Sequence, residues 1–405
     1  MTGKLNYIDL FAGCGGLSLG LHNSGWNGLF AIEKSKDAFE TLRYNLISNC
    51  KHFSWPSWLP IQNFDIKEVL INFRDQLESL QGKIDLVVGG PPCQGFSMAG
   101  QRNEDDERNQ MINYYIKFIE IVKPKMVFFE NVKGFTVSFN QKKRAKPFSE
   151  NIKELLERMG YRVSGQIIDF SQYGVPQRRK RFILVGFLNE DPSTFFESLS
   201  EKSREFLKKN NIKRTPTIAD AISDLLMKHG QGDSPDSNHF KAGVYGESNS
   251  SLQRYLRKGL RCKGKIADSH RFPNHHVDTV KVFMNVIENA PRNKRLDGEY
   301  KEKFNLKRRG AFLLDDKSIC PTITSNPDDY IHYSEARILT VREYARIQTF
   351  PDWFEFKGKY TTGGERRVLE VPRYTQIGNA IPPLFGEQVG IVLKEMANVG
   401  GESEI

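Results

Sequence analysis

Up to about residue 190, six short apolar or β-branched runs alternate with amphipathic stretches, the order that a parallel sheet covered by helices demands. The runs are Tyr7–Phe11, Gly28–Ile32, Ile84–Val88, Met126–Glu130, Ser164–Asp169 and Phe182–Gly186. Between them, Asp37–Leu46, Ile66–Leu80, Met111–Val122 and Ser149–Met159 repeat apolar residues at three- and four-residue spacing, the period of a helix with one buried face. The expected fold class is α/β, with a doubly wound, mostly parallel sheet. Single cores stop growing at about 250–300 residues, so a chain of 405 residues is expected to carry a second, smaller domain. The alternation ends after Gly186. A charged helical stretch, Asp191–Lys209, leads through Thr217–Leu226 to a segment rich in Gly, Ser, Asp and Asn, His229–Ser251, expected to be a loop. A helix-like segment, Thr340–Gln348, and an apolar helix to about Ala397 follow; Leu384, Val389, Val392 and Leu393 of the latter have the period to return to the first domain. The expected boundaries are 1–189, 190–355, a hinge over 356–372, and 373–405.

Charge narrows the choice of partner. The whole chain carries a formal +10, and the stretch from Ser251 to Arg309 alone holds 16 Lys and Arg against 6 Asp and Glu, also +10. The remainder is neutral, so the excess sits in one segment, which is the footprint of a polyanion-binding surface. Tyr255, Arg257, Arg261, His270, Arg271, Phe272, His275 and His276 interleave there, side chains suited to phosphates and base edges. Nucleic acid is the expected partner. No apolar run approaches the roughly 20 residues of a membrane helix, and Met1–Tyr7 enters a strand with no signal-peptide core, so a soluble cytoplasmic protein is expected. Five dispersed cysteines form no CxxC pair, and neither a disulfide framework nor a metal site is expected.

Several segments carry chemistry. In Gly89-Gly90-Pro91-Pro92-Cys93-Gln94-Gly95-Phe96-Ser97 a cysteine leaves an apolar strand behind two prolines. Free cysteine usually packs as an inert small residue, but prolines that fix φ and a glycine that allows a tight turn present this thiol for reaction. The first strand runs into Phe11-Ala12-Gly13-Cys14-Gly15-Gly16-Leu17, a glycine turn that admits a ligand close to the backbone, though it is neither a P-loop nor a full GxGxxG. The second strand ends at Glu33, placed to take ribose hydroxyls, and Asp65-Ile66 follows Phe64 at the next crossing. Together they point to an adenosine-bearing ligand at a sheet edge. Another polar pair, Glu130-Asn131, closes the Met126–Phe129 run. In Gln177-Arg178-Arg179-Lys180-Arg181, strand alternation turns Arg179 and Arg181 to one face, where both guanidiniums are expected to converge.

In this order the motifs resemble those of DNA (cytosine-5) methyltransferases of the bacterial restriction-modification type, from end to end of the chain. Asp9–Gly16 resembles the family's S-adenosylmethionine loop, Gly89–Ser97 its Pro-Cys loop and Glu130–Val132 its Glu-Asn-Val. Gln177–Arg181 resembles its Gln-Arg-Arg-x-Arg, Arg337–Asp352 the support of its target-recognition region, and Gln376–Ala380 its last cofactor-side motif. The resemblance implies that Cys93 adds to C6 of a flipped-out cytosine, with Glu130 in its acid form at N3, Arg181 and Arg179 at O2, and Asn131 and Gln94 supporting them. It implies S-adenosyl-L-methionine as cofactor, held by Phe11, Ala12, Gly13, Gly15, Gly16, Leu17, Glu33, Asp65, Ile66, Pro92 and Asn379. Residues 190–335, which lack a counterpart, fall where the family varies its DNA-reading region. Duplex DNA, a cognate restriction endonuclease and a monomeric state follow as expectations.

Departures from the pattern are few. Cys14 stands in the cofactor loop as a packed small side chain, Phe64-Asp65-Ile66 replaces Gly-Asp-Ile, and Ala380 replaces a frequent serine. Two other readings stay open. A tRNA-directed cytosine-5 methyltransferase usually carries a Cys-Phe-Thr stretch that is absent here. A non-catalytic DNA-binding regulator of the same fold has no need of Cys93, Glu130 and Arg181 together.

Overall fold

A computed structural model describes residues 4–92, 110–137, 146–260, 264–306, 310–362 and 370–399. The chain forms two compact units. Met1–Asp169, Lys180–Ser203 and Phe385–Ile405 make the first, and Phe170–Arg179 with Arg204–Leu384 the second.

The first unit is built on a six-stranded sheet of order β2-β1-β3-β4-β6-β5. Its strands are β1 Asn6–Leu10, β2 Asn27–Ile32, β3 Leu86–Gly89, β4 Met126–Val132, β5 Arg162–Asp169 and β6 Lys180–Phe187. Neighbours from β2 to β4 are parallel, while β6 runs antiparallel to both β4 and β5. The sheet is therefore α/β and mostly parallel, as the alternation predicts. After β2 the chain crosses to the other side of β1 to form β3, which makes the carboxyl ends of β1 and β3 the topological switch point, where such sheets bind ligands.

Strand alternation sorts the faces. Ile8 and Leu10 join Phe30, Val87, Val127 and Phe129 in a core covered by Ile66–Asn72, Gln110–Val122 and Phe148–Arg158. Tyr7 and Asp9 point to the opposite face, and both bond to Ser18 of the Gly16–Asn23 helix packed there. That helix meets the Pro383–Val399 helix backbone to backbone. A Cβ on Gly20 would lie 2.4 Å from the Gly386 carbonyl carbon, and the Trp26 indole donates to the Gly390 carbonyl at 2.8 Å. Gly20→Val is expected to cost about 3 kcal/mol, because two main chains must separate to admit the side chain; an unchanged urea midpoint would contradict this close approach.

Two expected helices take another form. Ile66–Leu80 divides into Ile66–Asn72 and Arg74–Glu78 at Phe73, whose φ of −124° leaves the helical region, with its ring tucked against Trp58 and Phe64. The Asp37–Leu46 segment is helical over Lys36–Leu42 and continues as a π-helix, Arg43–Asn49.

The second unit holds two three-stranded sheets, β7 Gln231–Asp233 with β8 Lys241–Val244 and β9 Ile266–Arg271, and β10 Arg295–Leu296 with β11 Ala311–Leu313 and β12 Tyr330–Ile331. The loop expected over His229–Ser251 thus contains two strands. Gly243 makes the pairing feasible, since a Cβ there would lie 2.4 Å from the His270 ring. Nearby, the Val341–Ile347 helix is wholly buried, arginines included. Arg346 bonds both oxygens of Asp352 at 2.5 and 2.6 Å, the Ala221 carbonyl at 2.9 Å and Asp224 at 3.2 Å. Arg342 reaches Asp268 at 2.9 Å and the Phe354 carbonyl at 2.8 Å. Arg337 grips Glu343 through two bonds of 2.8 and 2.7 Å. Burial works to raise the Glu343 carboxyl, but the Arg337 guanidinium outweighs it and holds the group down at about 2.

Candidate active site

The turn after β1 is built from left-handed backbone. Phe11 has φ 59°, a conformation that costs a non-glycine residue free energy and clusters at functional sites, and Gly13 and Gly15 follow at 57° and 92°. The Ala12 amide bonds the Ile32 carbonyl at 3.0 Å, and the Gly15 amide returns to the Ala12 carbonyl at 2.9 Å. Gly15 caps the Gly16–Asn23 helix with no side chain on its first amides. A Cβ on Gly15 would press Leu46 of the π-helix at 2.9 Å, whereas one on Gly13 would meet nothing within 4 Å. The turn is closed behind and open in front. Gly16 and Leu17 are buried in the first helical turn.

Glu33, just past β2, is fixed by main chain: Gly13 donates to Oε2 at 2.9 Å and Ser35 to Oε1 at 2.7 Å. Burial raises its carboxyl, against the pull of those amides. The Phe64 amide bonds the Glu33 carbonyl at 2.9 Å and so brings Asp65 and Ile66 to the same edge. Asp65 caps the Ile66–Asn72 helix and pairs with Lys34 at 2.8 Å. Burial pushes its carboxyl up, but Lys34 and the Lys67 amide win and hold it below the ordinary aspartate value. Ile66 lies in the core. Cys14 is 1% exposed, and burial drives its thiol upward, so it is a packed side chain in this turn.

The catalytic candidates lie farther along the same sheet. Glu130 stands opposite Ile183 in the β4–β6 ladder, and Arg181 two residues before Ile183 shares its face. The Arg181 Nε meets Glu130 Oε1 at 2.9 Å, with the two side chains 15% and 13% exposed. A Cβ on Gly90 would lie 3.1 Å from Glu130 Oε2, so this carboxylate abuts the main chain that leads to Pro91 and Pro92. Pro91 is buried and Pro92 exposed; Cys93 and Gln94 lie outside the described residues. Asn131 is buried, and its Oδ1 accepts the Val132 amide at 2.9 Å.

Arg179 takes a different place from the convergence with Arg181 that alternation predicts. It is 2% exposed, and its guanidinium donates to the carbonyls of Gly378 at 2.9 Å and of Ile323 and Ala380 at 3.4 Å, all within the second unit. Strand β6 begins only at Lys180, so at Arg179 there is no ladder for a period of two to act along. Gln177 is likewise buried, with its Nε2 on the Ile347 carbonyl at 3.3 Å. Asn379 is exposed at the carboxyl end of the Arg373–Asn379 helix, also in the second unit. The motif reading passes over Ser18, which donates to Asp9 Oδ2 at 2.6 Å. A carboxyl inside an otherwise apolar strand is the signal that it must have a partner.

A mostly parallel sheet with a glycine turn at its switch point and an acid–guanidinium pair beside a Pro-Pro loop defines an α/β protein of the methyltransferase type. The profile of the C-5 cytosine-specific DNA methylase family matches residues 5–395, and the chain belongs to that family of DNA cytosine-5 methyltransferases. It is similar to the type II methyltransferase M.DdeI of Desulfomicrobium norvegicum, 30% identical over 402 residues that cover 95% of this chain and 87% of the relative. M1.HphI of Haemophilus parahaemolyticus is 28% identical over 97% of this chain and 87% of its own length. A prophage-encoded protein of E. coli has the same fold, with a TM-score of 0.66 at 23% identity over 98% of this chain and all of the other.

Proposed function

We propose that the chain methylates C5 of one cytosine in a specific duplex DNA sequence, as the modification enzyme of a restriction-modification system. The observation that carries the reading is the Arg181–Glu130 pair set against Gly90, two residues ahead of the Pro92-Cys93 step. The glycine turn fits S-adenosyl-L-methionine: its front is open at Gly13, and Glu33 is fixed there with lone pairs left for a ribose. Phe11, Ala12, Gly13, Gly15, Gly16, Leu17 and Glu33 would hold that cofactor, with Ile66 and Pro92 at the margin and Asp65 serving chiefly as a helix cap. Bound there, S-adenosylmethionine supplies a methyl group on a positively charged sulfur, an electrophile.

The residues of the chain do the rest. Cytosine C5 is a weak nucleophile until Cys93, as thiolate, forms a bond to C6 and leaves an enamine. Glu130 in its acid form gives its proton to N3 as negative charge develops on the ring and takes it back when the C6–sulfur bond breaks, while Arg181 turns from Glu130 to O2. After C5 gains its methyl group it loses its proton, and the C6–sulfur bond breaks to return the thiolate. A base stacked in a duplex cannot be reached from C6, so the target nucleotide is flipped out, at a cost of a few kcal/mol. Arg179 acts on the main chain of the second unit and is a positioning residue.

The type II names of the relatives support the restriction-modification setting, in which an endonuclease would act on the same site. The match to a DNA methylase family and the missing Cys-Phe-Thr stretch favour DNA over tRNA. Labelled methyl groups are expected in duplex DNA and absent from tRNA, and bisulfite sequencing of a plasmid from expressing cells is expected to mark one cytosine in one recurrent sequence. Label in tRNA alone would overturn the DNA reading, and protected cytosines in unrelated contexts would overturn the site-specific one.

A further inference from the structure

We propose that Asp9 and Ser18 clasp the two ends of the glycine turn, which makes Asp9 a positioning residue for the methyl donor. The inference rests on the turn being the donor site.

Asp9 sits inside the sheet, beside Ala31 of β2 and Val88 of β3, neither of which has a side chain that can bond it. It is 2% exposed and Ser18 is fully buried. The Ser18 hydroxyl donates to Oδ2 at 2.6 Å, a short bond of the charge-assisted kind. Everything between the two residues is the turn itself, Leu10 to Leu17, with its left-handed Phe11, Gly13 and Gly15. A strand and a helix joined by so irregular a segment are free to change their spacing unless something ties them. The clasp is such a tie, beside the longer bond from the Tyr7 hydroxyl to the Ser18 carbonyl, behind the turn and on the face opposite the Ile8–Leu10 core.

The clasp also has two charge states near neutrality. Burial pushes the Asp9 carboxyl up to about 7, Ser18 pulls it down, and Glu33 at the end of β2 adds a smaller upward push. Tyr7 shares its strand face, with its hydroxyl 2.6 Å from His52, whose imidazole burial keeps neutral. Ionised Asp9 tightens the Ser18 bond and attracts a cation, and S-adenosylmethionine is a cation whereas S-adenosylhomocysteine has a neutral sulfur. Above pH 7 the turn therefore favours the donor over the spent product.

Equilibrium binding of labelled S-adenosylmethionine and S-adenosylhomocysteine between pH 6 and 8.5 tests this. For the unaltered protein, donor affinity is expected to rise about fivefold with a midpoint near 7, and product affinity to stay level. Asp9→Asn keeps an acceptor for Ser18 but not the charge, and is expected to flatten the donor profile. Glu33 would hold the ribose that donor and product share, so its part divides out of the ratio of their affinities. Ser18→Ala removes the pull on Asp9 and is expected to move the midpoint to higher pH; Ser18→Thr, which restores a hydroxyl, is expected to bring it back. Duplex DNA affinity reports whether each variant is folded. A donor profile in Asp9→Asn identical to that of the unaltered protein would overturn the clasp. Should Asp9→Asn not fold, an unmoved midpoint in Ser18→Ala would do so. No donor binding by the unaltered protein at any pH would instead refute the donor-site reading beneath it.

Discussion

Cys93→Ser is expected to lower methyl transfer to duplex DNA by about 10⁴-fold or more, with duplex DNA affinity kept. A serine hydroxyl is scarcely ionised at neutral pH, whereas a thiol is a few per cent thiolate even unassisted and is intrinsically far more nucleophilic. Everything else proposed for the site acts on the adduct that Cys93 would begin: the paired Arg181 and Glu130 would stabilise charge that exists only once C6 has been attacked. Groups that act as one unit lose most of their effect when any member is removed, so the loss should be nearly as large as that in a Cys93→Ser, Glu130→Gln double variant. Single-turnover transfer of a labelled methyl group measures it. Transfer within tenfold of the unaltered enzyme would rule out covalent catalysis by Cys93.

Arg346→Ala is expected to destabilise the protein by about 4 kcal/mol, the scale on which one partner of a buried ion pair is lost. The guanidinium is wholly buried and serves two carboxylates that are buried as well, Asp352 and Asp224. Removing it leaves both carboxylates without water. Arg257 also meets Asp224 and lies 3.8 Å from Asp352, and it softens the loss without replacing a bidentate grip. Arg254, exposed in the same unit with a bond to Ser251, provides the contrast: Arg254→Ala should stay within about 0.5 kcal/mol. Urea unfolding followed by tryptophan fluorescence separates the two, and equal midpoints would refute the structural role of the network.

The elements legible in the sequence are those whose physics is local. The central parallel strands β1, β3 and β4 read correctly because they are buried on both faces and appear as nearly unbroken apolar runs. Glu130 and Arg181 lie side by side because each sits in a real ladder, which Arg179 precedes. Strands β7 and β8 escaped because their short segments, Gln231–Asp233 and Lys241–Val244, carry no alternating pattern; they are held by pairing with one another and with β9. The break at Phe73 escaped for a related reason, since aromatic packing against Trp58 and Phe64 overrides a helical period. Nothing local marks Arg342 and Arg346 as buried, because their partners are as far away in sequence as Asp268 and Asp224. Where a charge sits inside an apolar pattern, the sequence announces a partner without naming it.

The contact of the Gly16–Asn23 helix with the Pro383–Val399 helix also sets an order of events during synthesis. Trp26 and its acceptor Gly390 are 364 residues apart, which at about 5–20 residues per second separates their emergence from the ribosome by about 20–70 s. From the emergence of Phe187 onward every strand of the first sheet can exist while the helix behind the glycine turn still lies uncovered. Maturation of the turn is thus tied to the arrival of Gly386 and Gly390, and a chain arrested before them has its sheet but not the support of its first helix.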